Sequence, residues 1–498
     1  MATADSERTY GNWRRPASPG IGELGLLGTL LVLGGLVACV ITMMVSLRAA
    51  LILAAVLAFV LAPMLLLRDR HGRTGLQIAV ARLSWLRGRS SGRHLYRSGP
   101  LGITHRGAFQ LPGLAAASHV LDATDSRGRD FGLIVVPATG HYTAVFEASV
   151  EGAALVDGDQ VDTWVAHWGQ WLAGLAYEPS LVAATVTVET APDLGTRLRR
   201  EVADNLSPDA PDLAATVLND VVRTYPAGSA QVSTRIAVTY AANLRSGGRP
   251  RSAEAMTREI ATRLPGLTAG LSMAGAGACR PMTSAEIAEA IRIAYDPASH
   301  RVLEAARSGG EPVAQPRDHI GPAAAQESWD HYRHDSGVSV TWAMSEAPRG
   351  EVLAPVLTDL LAPHRDVTRK RVSLLYRPYD PGSAARLVER DRKDARFRIG
   401  GANAAARDTV AVAAADQSAR EEAKGAGLVR FAMLVTATVP RLEDLPAAVA
   451  AIDTLAPSAR VRLRRMYGAQ AAAFAAALPL GLVLPDHLRI PAFVRETM

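Results

Sequence analysis

Cysteine and lysine are scarce in this chain, and each scarcity excludes a chemistry. Only Cys39 and Cys279 occur in 498 residues, with no Cys-x-x-Cys pair, which removes zinc ribbons and thioredoxin-type redox centres. Cys39 sits in an apolar run and Cys279 in the body, so no intramolecular disulfide joins them, as suits a body in a reducing compartment. Only Lys370, Lys393 and Lys424 are lysines, and none precedes Ser or Thr. A Walker A loop needs Gly-Lys-[Ser/Thr], because the Lys reaches the phosphates and the hydroxyl holds magnesium. The chain is therefore not a P-loop ATPase. His-Glu-x-x-His is absent, and no Gly-x-Ser-x-Gly elbow or reactive Cys stands in a recognisable setting. No catalytic residue and no cofactor is assigned, and a non-enzyme is the expectation.

What is present begins with hydrophobicity. Hydrophobic residues make up 48% and charged residues 20%, too apolar for a disordered chain, and Gly 42 with Pro 29 is too little for a fibrous one. The length points to two or three domains. Leu24–Leu47 gives 24 uncharged residues and Ala49–Leu67 gives 19 more, with Arg48 between them. About 20 apolar residues cross a bilayer, so 24–67 reads as a transmembrane hairpin. A signal peptide is the competing reading, but the first run is too long and the second follows at once. Gly34 and Ala38, four apart, permit close helix packing within the hairpin or in a homo-oligomer.

The formal charge of +6 is local. Residues 68–100 hold eight Arg against Asp69, a balance of +7, and residues 1–67 add +1, so the rest sums to −2. Arg8, Arg14 and Arg15 precede the hairpin, which the tail 1–23 enters, and the block follows it. Positive charge gathers on the cytoplasmic side, so both termini are expected in the cytoplasm with Arg48 outside. Within the block, Leu76, Ile78, Val80, Leu83, Trp85 and Leu86 interleave with Arg82, Arg87 and Arg89. This suits an interfacial helix, with Arg68, Arg70, Arg73, Arg82, Trp85, Arg87 and Arg89 contacting the anionic inner leaflet; a solvated linker helix is the plainer alternative. Because the excess is confined here, no direct nucleic-acid contact is expected.

The body reads as α+β. Strands are predicted at Phe131–Val136, Tyr142–Ala148, Leu181–Thr190, Ser229–Tyr240, Val338–Ser345, Val372–Arg377, Leu428–Thr438 and Arg460–Met466, and helices between them. Thr283-Ser-Ala-Glu286 is a capping box. Trp164, Trp168 and Trp171 fall at i, i+4, i+7 of a predicted helix, a stripe that either packs a core or offers a protein-contact face. Asp330-His-Tyr-Arg-His334-Asp335 has ligand-type residues but runs into a strand-like stretch, so it reads as a strand-edge cluster and no metal is assigned. Residues 305–328, rich in Gly, Pro, Ala and Gln, read as a linker between a lobe at 101–304 and one at 329–498. Strand and helix units alternate on both sides of it, which suggests two related α/β-type lobes.

Tyr10-Gly-Asn-Trp-Arg-Arg-Pro16, the paired spans, Arg68-Asp-Arg-His-Gly-Arg-Thr-Gly75 and His94-Leu-Tyr-Arg-Ser-Gly-Pro-Leu-Gly102 resemble a family of actinobacterial integral membrane proteins encoded beside conjugation-type ATPases. The layout also resembles EccE of type VII secretion. Residues 330–485, through Tyr376-Arg-Pro-Tyr379, Leu428–Thr438 and Gln470-x-x-x-Phe474-x-x-x-Leu478-Pro479-Leu480, resemble the amino-terminal domain of type IV secretion (VirB/TraC-like) ATPases without the motor. The resemblance implies a non-catalytic component of a conjugation or specialised secretion apparatus, with a separate motor ATPase and other apparatus subunits as partners. A membrane-tethered enzyme and a lipid- or envelope-sensing binding protein are the alternatives.

Overall fold

The computed structural model describes residues 8–13, 25–100, 102, 104, 108–150, 152, 156–193, 196–207, 209–224, 230–243, 249–308, 320–348, 350–399 and 406–488. Its first helices are α1 (Gly25–Val45) and α2 (Leu47–Leu66), separated by Ser46, whose hydroxyl accepts the Ala49 N–H and caps α2. Both are long and apolar enough to cross a membrane. They pack on each other and leave Leu36, Met44, Ile52 and Phe59 exposed. A helix apolar all round with so little covered is suited to lipid rather than to water.

α3 (Gly75–Ser90) follows, opened by a capping box between Thr74 and Gln77, then β1 (Leu95–Arg97). The body continues with β2 (His119–Thr124), β3 (Asp130–Val136), β4 (His141–Ser149), α4 (Gly158–Leu175), β5 (Leu181–Pro192), α5 (Thr196–Asn205), α6 (Asp212–Thr224), β6 (Ala230–Ala241), α7 (Ala253–Leu271), β7 (Ala278–Pro281), α8 (Ser284–Tyr295) and α9 (Ser299–Ser308). Then come β8 (Ala324–Glu327), β9 (Tyr332–His334), β10 (Gly337–Glu346), α10 (Thr358–Leu361), β11 (Arg369–Pro378), α11 (Pro381–Ile399), α12 (Ala406–Ala423), β12 (Val429–Val439), α13 (Leu445–Ser458), β13 (Arg462–Arg465) and α14 (Gln470–Ala476). Of the segment 305–328 read as a linker, 309–319 lie outside the described residues. Residues 305–308 end α9, and β8 occupies 324–327.

All the strands among the described residues join one sheet, in the order β1-β8-β9-β10-β12-β11-β5-β6-β4-β3-β2, with β13 on β10 and β7 on β4. Every pairing is antiparallel. Alternating strands and helices here do not build parallel crossovers, because a helical hairpin (α5–α6 or α11–α12) returns the chain to the neighbouring strand. The order is symmetric about the β5–β11 pair, and the registers repeat. Thr143 faces Thr239 as Ser339 faces Thr438, and Val186 faces Ile236 as Val372 faces Val435. Each half thus runs three strands, a helix, a strand, a helical hairpin, a strand, a helix, a short strand and a helix. The architecture is α+β.

Apolar side chains alternate to both sheet faces. On one face α4 and α7 cover Phe131, Phe146 and Tyr240, while α10 and α13 cover Val340, Trp342 and Val435. On the other, α8, α14 and the segment after it cover Ile134, Val145 and Ala237. That segment passes over the strands at Gly481 (φ +69°), where a Cβ would meet the Thr143 and Thr239 hydroxyls. Only glycine meets both demands there.

Residues on both sides of the apolar hairpin are tied to this body. Tyr10 exchanges backbone hydrogen bonds of 2.8 Å with Val352, and its hydroxyl donates to Asp162 of α4. The Asn12 amide donates to the Ala414 carbonyl (3.2 Å) and Ser418 hydroxyl (3.0 Å) of α12. On the far side, β1 pairs with β8.

Candidate functional site

α2 ends at Leu66, and the chain reverses over residues 68–74 before α3. Asp69 organises the reversal: its carboxylate accepts the His71 N–H (2.9 Å) and pairs with Arg73 (3.2 Å). Gly72 takes φ +78°. Burial works against the Asp69 charge, yet these partners hold its carboxyl below the usual range. Gly75 then packs on the Met64 backbone, seating the start of α3 against the end of α2.

α3 has two unlike sides. Trp85 meets Trp329 edge-on at 5.4 Å, Arg82 lies over Trp329 at 5.2 Å, and Trp329 stacks on Tyr467. Gly468 has no side chain to keep Trp329 and Trp85 away. The other side leaves Val80, Leu83 and Leu86 exposed. Of the residues expected at the membrane surface, Arg68, Arg70, Arg82, Arg87 and Arg89 are exposed and Arg73 is half-buried. Trp85 is turned to the body and carries Arg89 over its ring at 5.3 Å.

The sequence reading missed what adjoins this turn. β13 brings Arg462 and Arg464 close enough for their charges to act on His71, and Arg464 feels Arg73 and Asp69. Burial lowers the pKa of both His71 and Arg464. An open cleft lined by Glu346, Ala347, Arg460 and Arg462 adjoins β13. No spacing rule could have shown this, since the two basic segments lie almost 400 residues apart in sequence.

The other candidates have plainer settings. Trp171 is buried, Trp168 stacks on it at 5.1 Å and meets Tyr376 edge-on at 5.6 Å, and Trp164 lies against Gly275. The stripe packs α4 onto α7 and β11. His334 is fully buried, with its ring nitrogens bonded to the Tyr295 carbonyl (2.6 Å) and Ser339 hydroxyl (2.8 Å); burial lowers its pKa to about 4. His331 pairs with Asp330, and Asp335 accepts from the Ala323 and Ala324 N–H groups. Among the described residues no group of three or more His, Cys, Asp or Glu could hold a metal ion.

One buried charge cluster lies at the seam between the halves. Glu189 of β5 pairs with Arg235 of β6 (3.0 Å) and with Arg369 (3.1 Å) and Arg371 (2.8 Å) of β11. Burial would raise its carboxyl pKa, but Arg371, Arg369 and Arg235 hold it far below the ordinary value. Lys370, on the opposite face, donates to the Ala362 carbonyl, and burial lowers its pKa to about 8.

Residues 17–77 match a family described as a domain of unknown function, DUF8461. The match takes in α1, α2 and the 68–74 turn. No curated protein matches the chain.

Proposed function

We propose that the protein is a membrane-anchored, non-catalytic platform of a conjugation or specialised secretion apparatus, docking a separate motor ATPase at the cytoplasmic membrane. The observation that carries the reading is the mounting of the hairpin. Tyr10 and Asn12 before it, and α3 and β1 after it, bind the same sheet body. Both ends of a two-span hairpin then leave the membrane on the body's side, with Ser46 and Arg48 beyond the far face. The arginine excess after α2 supports the cytoplasm as that side. Val80, Leu83 and Leu86, exposed opposite the body-facing side of α3, support an interfacial helix among anionic headgroups.

The two halves are read as two lobes of one rigid platform. α6 carries Leu213, Val217 and Val221 on its exposed side, an apolar stripe at helical spacing that suits a protein partner. The machine's kind comes from the resemblance at residues 10–16, 68–75, 94–102 and 330–485. The full chain, purified in mild detergent, is expected to bring down a partner carrying a Walker A motif. Its deletion is expected to release that motor from the membrane fraction. A chain that isolates alone, with motor recruitment unaffected by the deletion, would defeat the proposal.

A further inference from the structure

We infer that the seam between the two halves is a binding site for a free tetrahedral oxyanion of the phosphate or sulfate class, held by Arg235, Arg369 and Arg371. The site goes beyond the membrane-platform reading and stands independently of it. Strand register builds it. Arg371 of β11 lies directly opposite Glu189 of β5, and Arg235 of β6 lies opposite Thr187, one diagonal step from Glu189. Arg369 falls on the same face as Arg371, two residues away along β11. The three guanidinium groups converge on one carboxylate, at 2.8 Å (Arg371), 3.1 Å (Arg369) and 3.0 Å (Arg235). The charges of Asp193 and Glu304 reach His300 nearby, but among the described residues neither pairs with any of the three arginines. Within pairing distance the cluster holds three positive charges and one negative.

The unused donors point to an anion. Nε and Nη1 of Arg371 and Nε of Arg235 are buried without a hydrogen-bond partner among the described residues. Nη2 of Arg369 reaches only to Nδ1 of His300 on α9, at 3.5 Å, the long end of hydrogen-bonding range. Arg371 has 3% of its side chain exposed and lies over the Phe474 ring at 5.6 Å, so bulk water does not compensate its charge. A buried guanidinium without an acceptor is costly, and a doubly charged oxyanion both balances the cluster and offers oxygens to its forked donors. The surroundings select a free ion. Arg235, 15% exposed, and half-buried His300 mark the side from which an ion reaches the cluster. The burial of Glu189 and Arg371 excludes a phosphate carried on a larger molecule. The bound ion would fasten β6 of the first half to β11 of the second.

The test uses the full chain in mild detergent, in a buffer whose only anion is gluconate. Equilibrium dialysis against radiolabelled inorganic phosphate should retain about one ion per chain, and phosphate at about a hundredfold over its Kd should raise the unfolding midpoint by roughly 3 °C. Phosphate and sulfate raise midpoints generally by exclusion from protein surfaces, so the reading is the difference from Arg371→Gln, in which most of the shift should vanish. Arg371→Lys, which keeps the charge but not the fork, should retain part of it. Glu189→Gln leaves the three guanidinium groups to the anion alone and should gain about twice the native shift. If Arg371→Gln does not fold, Arg235→Gln, at the more open edge of the cluster, should still lose about fivefold in phosphate affinity. Sulfate acting as well as phosphate, or phosphate acting better, both support the site and name its ion. No retained phosphate, or equal shifts in the native chain and Arg371→Gln, would leave these donors to water and overturn the site. Chloride acting as well as phosphate would overturn the oxyanion. Loss of the retained ion in Arg87→Gln/Arg89→Gln, on α3, would place it at the juxtamembrane block and overturn the inference too.

Discussion

Replacing Glu189 tests the seam on which the two halves depend. Its carboxylate is nine-tenths or more buried and answers three guanidinium groups, two of them from the other half of the chain. Glu189→Gln keeps the shape and removes the charge, so Arg235, Arg369 and Arg371 face one another without a counter-ion. Breaking a buried pair by removing one partner costs about 3–5 kcal/mol. Three arginines share this carboxylate, so the upper half of that range is expected for Glu189→Ala and the lower half for Glu189→Gln. In a thermal unfolding scan of the detergent-solubilised chain, Glu189→Gln should lower the midpoint by roughly 5 °C. A second variant separates charge from packing. Glu189→Gln/Arg371→Met leaves two facing guanidinium groups, Arg235 and Arg369, in place of three and should recover part of the loss. If Glu189→Gln unfolds within about 0.5 kcal/mol of the native chain, or the double variant is worse than the single one, the electrostatic account of the seam is wrong.

Other consequences follow from single contacts. His334 and His141 are both buried with pKa lowered to about 4. They are neutral when folded and take up protons on unfolding, so stability present above about pH 6.5 is lost as pH falls towards 4. His334 alone accounts for up to about 3 kcal/mol of that, and His334→Gln should flatten the pH profile of the unfolding midpoint. Gly481→Ala puts a methyl group into Thr143 and Thr239 at a left-handed backbone position and should destabilise the body by about 2–4 kcal/mol, read by the same scan. Trp85→Ala removes the edge-on ring contact between α3 and Trp329 and leaves only Arg82 over that ring, and faster trypsin cleavage at Arg82, Arg87 and Arg89 is the expected result. Val217→Glu/Val221→Glu on α6 should reduce motor co-purification several-fold while leaving the unfolding midpoint within about 1 °C.

Much of the architecture is legible in the chain because it follows from local periodicity. The uncharged runs give α1 and α2 within a few residues, and the strand-like runs at 131–136, 142–148, 181–190 and 428–438 match β3, β4, β5 and β12 to within two residues at each end. β2, β8 and β9 were not legible: they are short, and His119–Thr124 and Ala324–Glu327 mix polar with apolar residues. The pairing of β5 with β11 was also hidden, since register between segments 180 residues apart leaves no local trace. The tryptophan stripe was visible as a stripe, but its direction was not. Glycines at 270 and 275 give room for Trp171 and Trp164, and this is a property of tertiary contact. The basic block is legible in the sequence only as a feature of 68–100; that the charges of Arg462 and Arg464 reach His71 is a property of the fold.

The central claim, a hairpin that holds a cytoplasmic body by both of its ends, is tested most directly by cysteine accessibility in intact cells. In a chain with Cys39 and Cys279 replaced by Ser, Ser46→Cys lies between the two spans and Ser207→Cys lies exposed on the body. A membrane-impermeant maleimide should label the first without permeabilisation and the second only after it. Labelling of Ser207→Cys in intact cells, with Ser46→Cys protected, would contradict the account.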